Sequence, residues 1–488
     1  MPTGKLPPAA KGLQLNFCKT LACDNFGLSD EQRYLLQRTN PKRPALVCRE
    51  CGAFPPLLNN EEVLVEYSRL KAVQSSGLPA CNHPECENFG LPVLTHRSHY
   101  HAFGYSGDRQ RYRCKACEGT FVDRWSGFNG KNQVQQKLLA MLFTGYAVRD
   151  ICRRLHMNPK TFYDQLSHIA SRCRRQMSMF DARLPKQHSS LTLASNVTQL
   201  QPNSHNGVLW ISTGEAKSGY IVSQHINYSA SETPSGPLDH DPYEENSRLL
   251  PADYVGEAHS QEPTPGNTLS RVDAKYREIL ARANVEDPLG NAIELNYPTK
   301  GAIIRPPYAS YAHYLHLHDF INECDELTIY MPQEPLLRSA CMTVFLERMK
   351  QKTINLIYVV EDPGWQQEQE AEKVDIVLVG WWRDRWAFTK NNNIGKGVCH
   401  LGSSTGNEAH WLKEASFRSV SQFQQRFHDQ FSQLVNEPRR KLRPAGLLPL
   451  LDIYRAWHNL CRQNRTGQTP AQELGLTSSP LTLQQLLS

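Results

Sequence analysis

The feature that most constrains this 488-residue chain is a repeated arrangement of eight cysteines near its start. The segments CKTLACDNFGL and CNHPECENFGL share a C-x4-C pair, followed by an acidic residue and Asn-Phe-Gly-Leu. A C-x2-C pair follows each segment: 24 residues separate Cys23 from Cys48, and 27 separate Cys86 from Cys114. Two close pairs of thiolates on tight turns complete the tetrahedral all-sulfur site that Zn2+ takes in structural positions. The pattern predicts two structural Zn2+ ions, bound by Cys18, Cys23, Cys48 and Cys51 and by Cys81, Cys86, Cys114 and Cys117.

These quartets predict two zinc ribbons, over residues 1–65 and 66–128. Four protein ligands leave no position for water, so each metal is expected to be structural rather than catalytic. An iron–sulfur cluster is the alternative, since four cysteine thiolates hold such clusters as well. The strand-like flanks ALVC and RYRC favour zinc. The other six of the 14 cysteines are isolated in the sequence and are expected to be buried thiols.

Helical periodicity follows the second quartet and predicts a helix-turn-helix over residues 129–180. A first apolar stripe ends at Gly145, and a second, shorter one ends at Leu155. Asn158-Pro159 then opens the third helix as its N-cap and first helical residue. Because the third helix of this motif enters the major groove, we expect it to present Lys160, Thr161 and Tyr163 to DNA.

Basic residues are concentrated in the same part of the chain. Between Arg97 and Arg175 there are 15 Lys and Arg against 5 Asp and Glu, an excess of +10 (15 − 5), whereas the whole chain carries +6. A local excess of this size is an electrostatic footprint for a polyanion, and we predict double-stranded DNA as the partner. The cations expected to contact it are Arg111, Arg113, Lys115, Arg153, Arg154, Arg172, Arg174 and Arg175. A plain three-helix bundle with a solvated surface is the alternative.

The remaining chain predicts a mixed α/β domain over residues 190–465. Strand-like runs occur at 190–200, 207–211, 220–228, 327–331, 354–360 and 374–381, and helical runs at 336–350, 407–415, 421–436 and 447–462. Residues 229–268 are rich in Pro, Ser, Gly and acidic residues and are predicted to form a polar insertion. Residues 466–488 are expected to be a tail with little structure beyond a helical turn at 470–474.

The order of these parts resembles that of bacterial insertion-sequence transposases. The pattern R-Y-R-C-x2-C-x2-T-F, at residues 111–121, is similar to the ribbon that precedes a helix-turn-helix in that group. The segment LDIYRAWHNLCRQNRTGQTPAQELGL is similar to the group's closing segment, in which a Tyr/His-Asn helix precedes T-P-A-x3-G-L. The matching residues there are Tyr454, Trp457, His458, Asn459, Thr469, Pro470, Ala471, Gly475 and Leu476. The resemblance implies a DDE transposase with an RNase H-like domain between the two ends.

The resemblance also implies two aspartates at strand ends and a glutamate on a later helix, which together hold two divalent metals for phosphoryl transfer. Asn196 stands where the first aspartate is expected, and Gln333 lies in the stretch where the second is expected. Glu408 is the candidate for the glutamate. Since Mg2+ needs several oxygen ligands and an amide supplies no negative charge, we expect no Mg2+ site. The prediction is a transposase-derived DNA-binding protein with an inactive RNase H-like domain, acting in regulation, defence or an accessory role.

Two alternatives stay open from the sequence. One is an active metal-dependent transposase whose acids lie in another register, such as Glu215, Asp325 or Glu334. The other is a zinc-ribbon transcription regulator or scaffold with an unrelated α/β domain.

The sequence also bears on location and partners. No apolar stretch reaches the roughly 18 residues of a membrane span, and the first residues, MPTGKLPPAAKGLQLNF, contain no apolar signal region. We therefore expect a cytoplasmic protein with no membrane partner. The resemblance implies that it is bacterial and associated with the nucleoid, and no small-molecule substrate is evident from the sequence. Self-association, giving a homo-oligomer, is a further expectation from the resemblance.

Overall fold

The computed structural model describes residues 6–37, 44–123, 132–202, 205–234, 241–254, 266–282, 284–291, 295–362, 374–380, 382–389, 395–402, 406–435 and 444–487. Within them the chain is a multidomain α/β protein with a large mixed sheet.

Each cysteine quartet is accompanied by a small antiparallel sheet. The strands are β1 (Tyr34–Gln37) and β2 (Ala45–Cys48) for the first quartet, and β3 (Tyr100–Ser106), β4 (Arg109–Cys114) and β5 (Thr120–Val122) for the second. Strands β2 and β4 each end at the first cysteine of a C-x2-C pair. The sheets therefore hold these two turns in place.

In the described residues, five α-helices precede the large sheet. They are α1 (Asn60–Gln74), α2 (Asn132–Phe143), α3 (Val148–Arg154), α4 (Pro159–Asp181) and α5 (Leu184–Gln187). Helix α4 is 23 residues long, and Cys173 and Met177 near its end are fully buried. It therefore reaches from the predicted helix-turn-helix into the body of the protein.

Eight strands form the large sheet, and two short strands form a separate pair. The strands of the large sheet are β6 (Ser190–Gln199), β7 (Leu209–Glu215), β8 (Ile221–Ile226), β11 (Glu326–Met331), β12 (Ile354–Glu361), β13 (Val374–Val379), β14 (Asp384–Thr389) and β15 (Lys396–His400); the pair is β9 (Tyr228–Ser229) with β10 (Ala302–Ile303). Across the sheet the order is β13-β14-β15-β12-β11-β6-β7-β8. Strand β6 pairs parallel with β11 and antiparallel with β7, and β11 pairs parallel with β12.

Ten further α-helices follow in the part of the chain that the structure describes. They are α6 (Thr268–Ala281), α7 (Pro306–Ile321), α8 (Pro335–Val344), α9 (Leu346–Lys350), α10 (Glu408–Glu414), α11 (Arg418–Gln430), α12 (Ser432–Val435), α13 (Pro444–Leu460), α14 (Pro470–Glu473) and α15 (Leu483–Leu486).

Helices cover both faces of the large sheet. Ser195 and Asn196 are neighbours on β6, so their side chains point to opposite faces. Ser195 bonds Thr213 of β7, which in turn bonds His313 of α7 at 2.8 Å. The Asn196 side chain instead donates to Gln424 of α11 at 2.8 Å. Because both faces are covered, every residue of β7 is buried, whichever face its side chain points to.

Helix α4 is joined to the body through α13. Arg174 of α4 forms a buried ion pair with Asp452 of α13 at 2.5 Å, and Asp181 pairs with Arg455 at 2.9 Å. Apolar residues from α1, α4, the large sheet and α13 belong to one continuous core. The predicted helix-turn-helix region therefore does not stand apart from the α/β part.

Several elements differ from the sequence-based expectation. Helices α1, α6 and α7 and strands β14 and β15 were not predicted, and the helical run at 336–350 is divided into α8 and α9. The end of the chain is more ordered than the predicted tail: Leu486 and Leu487 are buried, and the backbone N–H of Leu481 donates to the Leu460 carbonyl at 2.8 Å. Apolar residues anchor this segment to the rest of the protein. Its mostly polar composition explains why this order was not predicted from the sequence.

The predicted polar insertion is only partly described, since residues 235–240 and 255–265 lie outside the described ranges. Its described part is anchored to the body. Leu249 and Leu250 are buried, and the Arg248 guanidinium lies 3.3 Å from Glu62 of α1 and 2.7 Å from Glu232. No helix in the described ranges is both long enough and apolar enough to span a membrane.

Candidate functional site: two cysteine quartets and a helix-turn-helix

In each cysteine quartet the four sulfur atoms lie within 4.8 Å of one another. The Sγ–Sγ distance is 3.5 Å for Cys18 with Cys51 and 3.6 Å for Cys23 with Cys48, and both corresponding pairs of the second quartet measure 3.6 Å. Four sulfurs about 2.3 Å from one ion form a tetrahedron with edges of about 3.8 Å. The quartets fit two structural zinc sites. A multi-iron cluster would separate its thiolates further, because irons and sulfides lie between them.

The two quartets share hydrogen bonds as well as cysteines. The Asn25 side chain donates to Cys48 Sγ at 3.2 Å, and the Asn88 side chain donates to Cys114 Sγ at 3.3 Å. The backbone N–H of each asparagine also donates to the sulfur two residues before it, at 3.4 Å in both units. Such outer contacts orient metal ligands and tune their charge. They give a role to the asparagine of the repeated Asn-Phe-Gly-Leu.

The repeated glycine has a conformational role. Gly27 and Gly90 adopt φ values of +72° and +70°, which side chains rarely tolerate. Each donates its N–H to the carbonyl of the first cysteine in its unit. A Cβ on Gly90 would also lie 2.8 Å from the Cβ of Lys71 on α1. The repeat therefore requires glycine for the backbone turn and, in the second unit, for the close approach of a helix.

A buried tyrosine supports each unit, and the sequence reasoning missed both. The Tyr34 hydroxyl accepts the Cys18 N–H at 2.9 Å, and the Tyr100 hydroxyl accepts the Cys81 N–H at 3.4 Å. The tyrosines follow these cysteines by 16 and 19 residues, so their equivalence is hidden by unequal spacing.

The surroundings of one cysteine in each quartet favour the thiolate. Burial alone would raise the pKa of Cys48, but the backbone N–H groups of Cys51 and Glu50 and the Asn25 side chain outweigh it and lower that pKa to about 7. The equivalent contacts lower the pKa of Cys114 to about 7. Because zinc binds thiolates, these contacts favour metal binding near neutral pH.

The first unit is docked against the α/β part. Lys19 lies between Cys18 and Cys23 in the sequence. It forms an ion pair of 3.2 Å with Glu286 and a hydrogen bond with the Tyr311 hydroxyl on α7. A Cβ on Gly27 would lie 2.9 Å from the Leu346 side chain of α9. This unit is therefore built into the body of the protein.

The second unit presents its strands to solvent. Of the predicted DNA-contacting cations here, Lys115 is exposed, whereas Arg111 and Arg113 are partly buried. Arg113 also pairs with Glu118 at 2.5 Å, a partly exposed contact. The unit thus combines a zinc-type site with accessible cations.

The third helix of the predicted motif begins where the sequence indicated. The Asn158 side chain accepts the Thr161 N–H at 2.8 Å as N-cap, and Pro159 is the first helical residue. Lys160 is exposed on this first turn, and Thr161 and Tyr163 are partly exposed. The start of α4 therefore presents the three side chains predicted to face DNA.

The predicted DNA-contacting arginines of α3 and α4 fall into two groups, those on α3 and those at the far end of α4. Arg153 and Arg154 are exposed on α3; Arg153 pairs with Asp150 at 2.9 Å, and the Arg154 guanidinium lies 4.7 Å from the centre of the Tyr146 ring. Surface pairs of this kind are weak and leave the charge available to a phosphate.

The arginines at the far end of α4 are engaged within the protein. Arg174 is 9% exposed and forms the buried pair with Asp452, so its guanidinium is not available for the predicted phosphate contact. Arg172 donates to the Leu487 carbonyl, and Arg175 forms a two-pronged pair with Asp123. The sequence could not separate these residues from Arg153 and Arg154, because their partners Leu487, Asp452 and Asp123 are distant in the chain.

The position of the first expected aspartate is occupied by an amide network. Asn196 donates to Gln424, and the Gln424 side chain donates to the Trp210 carbonyl and the Ser212 hydroxyl, both at 3.2 Å. These neutral contacts fasten α11 to β6 and β7. They supply no carboxylate to a metal.

The carboxyl ends of β11 and β12 are covered by helix α6. Gln333 is 5% exposed and donates to the Val272 carbonyl of α6 at 3.0 Å. Glu334 forms a two-pronged pair with Arg282, at 2.6 and 2.9 Å, immediately after that helix. Asp362, which follows β12, accepts from Thr268 at 2.7 Å. The acids at this edge therefore hold α6 in place.

Glu408 lies in a different part of the sheet. It accepts the Gly406 N–H at 2.9 Å and pairs with Arg385 of β14 at 3.4 Å. Burial would raise the pKa of Glu408, but backbone N–H groups and Arg385 outweigh it and lower that pKa. Helix α10 packs on β14 and β15, and β15 is three strands from β6, about 14 Å at the usual spacing. Glu408 and Asn196 therefore do not converge.

A cavity of about 570 Å3 opens on the α11 side of the sheet, beside Thr192 and Tyr330. Glu361 on its wall lies 3.5 Å from the buried Lys396 and 3.4 Å from Arg418. In the described part of the chain, no group of three or more His, Cys, Asp or Glu side chains is placed to share an ion except the two quartets.

No protein-family model, curated protein or solved structure matches this chain.

Proposed function

We propose that the chain is a sequence-specific DNA-binding protein derived from a bacterial insertion-sequence transposase. Its RNase H-like domain would no longer cut or join DNA, and the protein would act in regulation, defence or an accessory role. The two cysteine quartets would each bind one Zn2+.

The observation that carries this proposal is the strand order β8-β7-β6-β11-β12. An RNase H-like sheet has its first strand between an antiparallel hairpin, formed by the second and third strands, and a parallel pair, formed by the fourth and fifth. Strands β6, β7, β8, β11 and β12 occupy these places in chain order. The order favours an RNase H-like domain over an unrelated α/β domain. Since one fold hosts many activities, the function itself is argued from the sites.

DNA recognition is supported by the surface around α3 and α4. Lys160 on the first turn of α4 is placed as in a helix-turn-helix, where the start of the third helix reads bases. Arg153 and Arg154 are exposed nearby and suit phosphate contacts, which position a protein without reading sequence.

Loss of strand transfer is supported by the missing acids. Two-metal catalysis needs carboxylates that converge on ions about 4 Å apart. Asn196 is bound to Gln424, Gln333 is bound to α6, and Glu408 lies about three strands away from Asn196. These contacts favour binding without cleavage.

The DNA-binding part is tested by selecting duplexes from a random pool with the full chain. Arg153→Ala with Arg154→Ala should weaken every duplex and reduce the slope of log K against log salt by about 2, at about 0.9 per phosphate contact. Lys160→Ala with Tyr163→Ala should instead reduce the preference for selected over scrambled duplexes. Lys350→Ala, a partly exposed cation on α9, is the control and should change neither quantity. A wild-type chain that binds no duplex would refute the proposal.

A further inference from the structure

We propose that the β3–β4 hairpin of the second cysteine unit is a two-stranded ribbon that inserts into the major groove of double-stranded DNA. This inference rests on the proposed DNA binding and names a surface for it that is separate from the helix-turn-helix.

The hairpin projects into solvent. Every residue from His101 to Arg109 is exposed, which includes residues that alternate between both faces of the strands. Strand β5 pairs with Arg111–Arg113, and Asp123 after it bonds the Gln110 carbonyl, so the end of the hairpin beyond Gln110 is two-stranded. At about 3.3 Å per residue the seven residues of β3 reach about 23 Å. A two-stranded ribbon of this kind fits a major groove about 12 Å wide.

One face of the hairpin is basic and aromatic. Arg109, Arg111 and Arg113 alternate along β4 and therefore share a face. The guanidinium groups of Arg111 and Arg113 lie 5.5 and 5.7 Å from the centre of the Phe103 ring, within the range of cation–π attraction. Phe103 therefore orders two cations that carry donors for phosphates or guanine edges.

The small core of the second unit lies on the opposite face of the hairpin. Tyr112 packs against Phe121, with ring centres 6.0 Å apart, and Phe121 packs against Tyr100 beside the cysteines. That side supports the metal-type site. Phe103 and Tyr105 lie outside this small core and keep 43% and 68% of their surface exposed. An apolar ring next to arginines suits a groove that offers thymine methyl groups beside phosphates.

Strand β4 of the hairpin is linked to α4 through Gln110 and Asp123. Asp123 donates its N–H to the Gln110 carbonyl at 2.9 Å and holds Arg175 of α4 through both carboxylate oxygens. Asp123 therefore connects the hairpin to the predicted helix-turn-helix through hydrogen bonds to both. We infer that both bind the same duplex.

The test measures binding of the full chain to a mixed-sequence duplex of about 30 base pairs, roughly three helical turns, and to one of its strands alone. Phe103→Ala with Tyr105→Ala should weaken duplex binding by about tenfold and leave the salt slope unchanged, because these rings carry no charge. Phe54→Ala is the matched control, since this ring is 53% exposed on the first unit. Arg109→Ala with Arg111→Ala should reduce the salt slope by about 2, whereas Arg465→Ala, an exposed cation near the other end of the chain, should not.

If the wild-type chain binds the duplex and the variant Phe103→Ala with Tyr105→Ala binds it equally well, the inference is wrong and the proposed function stands. A greater loss on the single strand than on the duplex would also overturn it, since stacking on unpaired bases would then be the contact. A wild-type chain that binds neither probe would refute the proposed function itself. Zinc content reports whether the second unit stays folded, and Tyr105→Ala alone repeats the test if the double variant loses metal.

Discussion

Single cysteines of a quartet and isolated cysteines should behave differently. Cys114→Ser removes one of four ligands, and structural zinc contributes on the order of 10–16 kcal/mol to the folding of small zinc domains. We expect metal analysis to fall from two zinc ions per chain to one and the second unit to unfold. Cys461→Ser, a partly buried cysteine outside both quartets, should keep both ions. Iron in place of zinc, or no metal in the wild-type chain, would contradict the zinc assignment.

The asparagine contacts predict a smaller effect on the same site. Asn88→Ala removes the 3.3 Å hydrogen bond to Cys114 Sγ without removing a ligand. Outer contacts of this type are worth 10–100-fold in metal affinity, so competition with a chelator should show a loss of about that size. Asn82→Ala, an exposed asparagine between the two cysteines of the same C-x4-C pair, should leave the affinity unchanged. Equal losses in both variants would show that the hydrogen bond is unimportant.

His458 predicts a dependence of stability on pH. Burial lowers the pKa of His458 from 6.5 to about 3, although the Gly219 carbonyl partly opposes it. Since the unfolded chain takes up a proton below pH 6.5 that the folded chain does not, stability is lost as pH falls from 6.5 toward 3. Between pH 7.5 and 5.5 this loss is about 1.4 kcal/mol.

Denaturant unfolding of His458→Gln at the two pH values should therefore show a smaller fall in the free energy of unfolding than the wild-type chain shows. The exposed His168→Gln is the control. An identical pH dependence in wild type and His458→Gln would exclude this origin. The comparison between variants removes any contribution from zinc release.

Among single residues, those whose role is local could be predicted from the sequence. The cysteine spacing and the Asn158-Pro159 start of α4 depend on near neighbours, and the structure places both as expected. The roles of Arg174 and Gln424 depend on partners 278 and 228 residues away, which no local pattern contains.

At the scale of elements, helix α6 covers the carboxyl ends of strands β11 and β12. Arg282 is nearly fully buried in its pair with Glu334. Removing one partner of such a pair leaves a buried charge and costs about 3–5 kcal/mol. We expect Arg282→Met to lower the free energy of unfolding in urea by about 3 kcal/mol, moderated by Lys275, which lies 3.6 Å from Glu334.

Arg277→Met is the control on the same helix, since Arg277 pairs with Asp273 at the surface. It should change the free energy of unfolding by less than about 1 kcal/mol. Similar values for the two variants would contradict the account of how α6 is held.

The elements missed from the sequence share a physical cause. Helix α7 is buried on nearly every side and so lacks an amphipathic stripe, and α6 begins within the segment whose composition predicted a polar insertion. Strands β14 and β15 are short and flanked by polar residues. The longest strands of the sheet, β6 and β12, were predicted close to their observed bounds.

At the scale of the whole molecule, the region proposed to bind DNA and the α/β part share a core. Helix α4 packs on α13, and α1 packs on α7. Deleting residues 1–178 would therefore expose apolar surface of the remaining chain, so loss of DNA binding in such a truncation would not locate the interface. Point variants in the full chain are the appropriate test.

The central claim is that this protein binds DNA through its first third and performs no strand transfer. The most direct measurement incubates the full chain with the duplex that it selects, in Mg2+ and separately in Mn2+, and follows nicking and joining of labelled strands. We predict that the chain binds the duplex but neither nicks nor joins its strands with either metal. Glu408→Gln should bind the duplex as the wild-type chain does. Metal-dependent cleavage that Glu408→Gln abolishes would contradict the claim and indicate an active transposase.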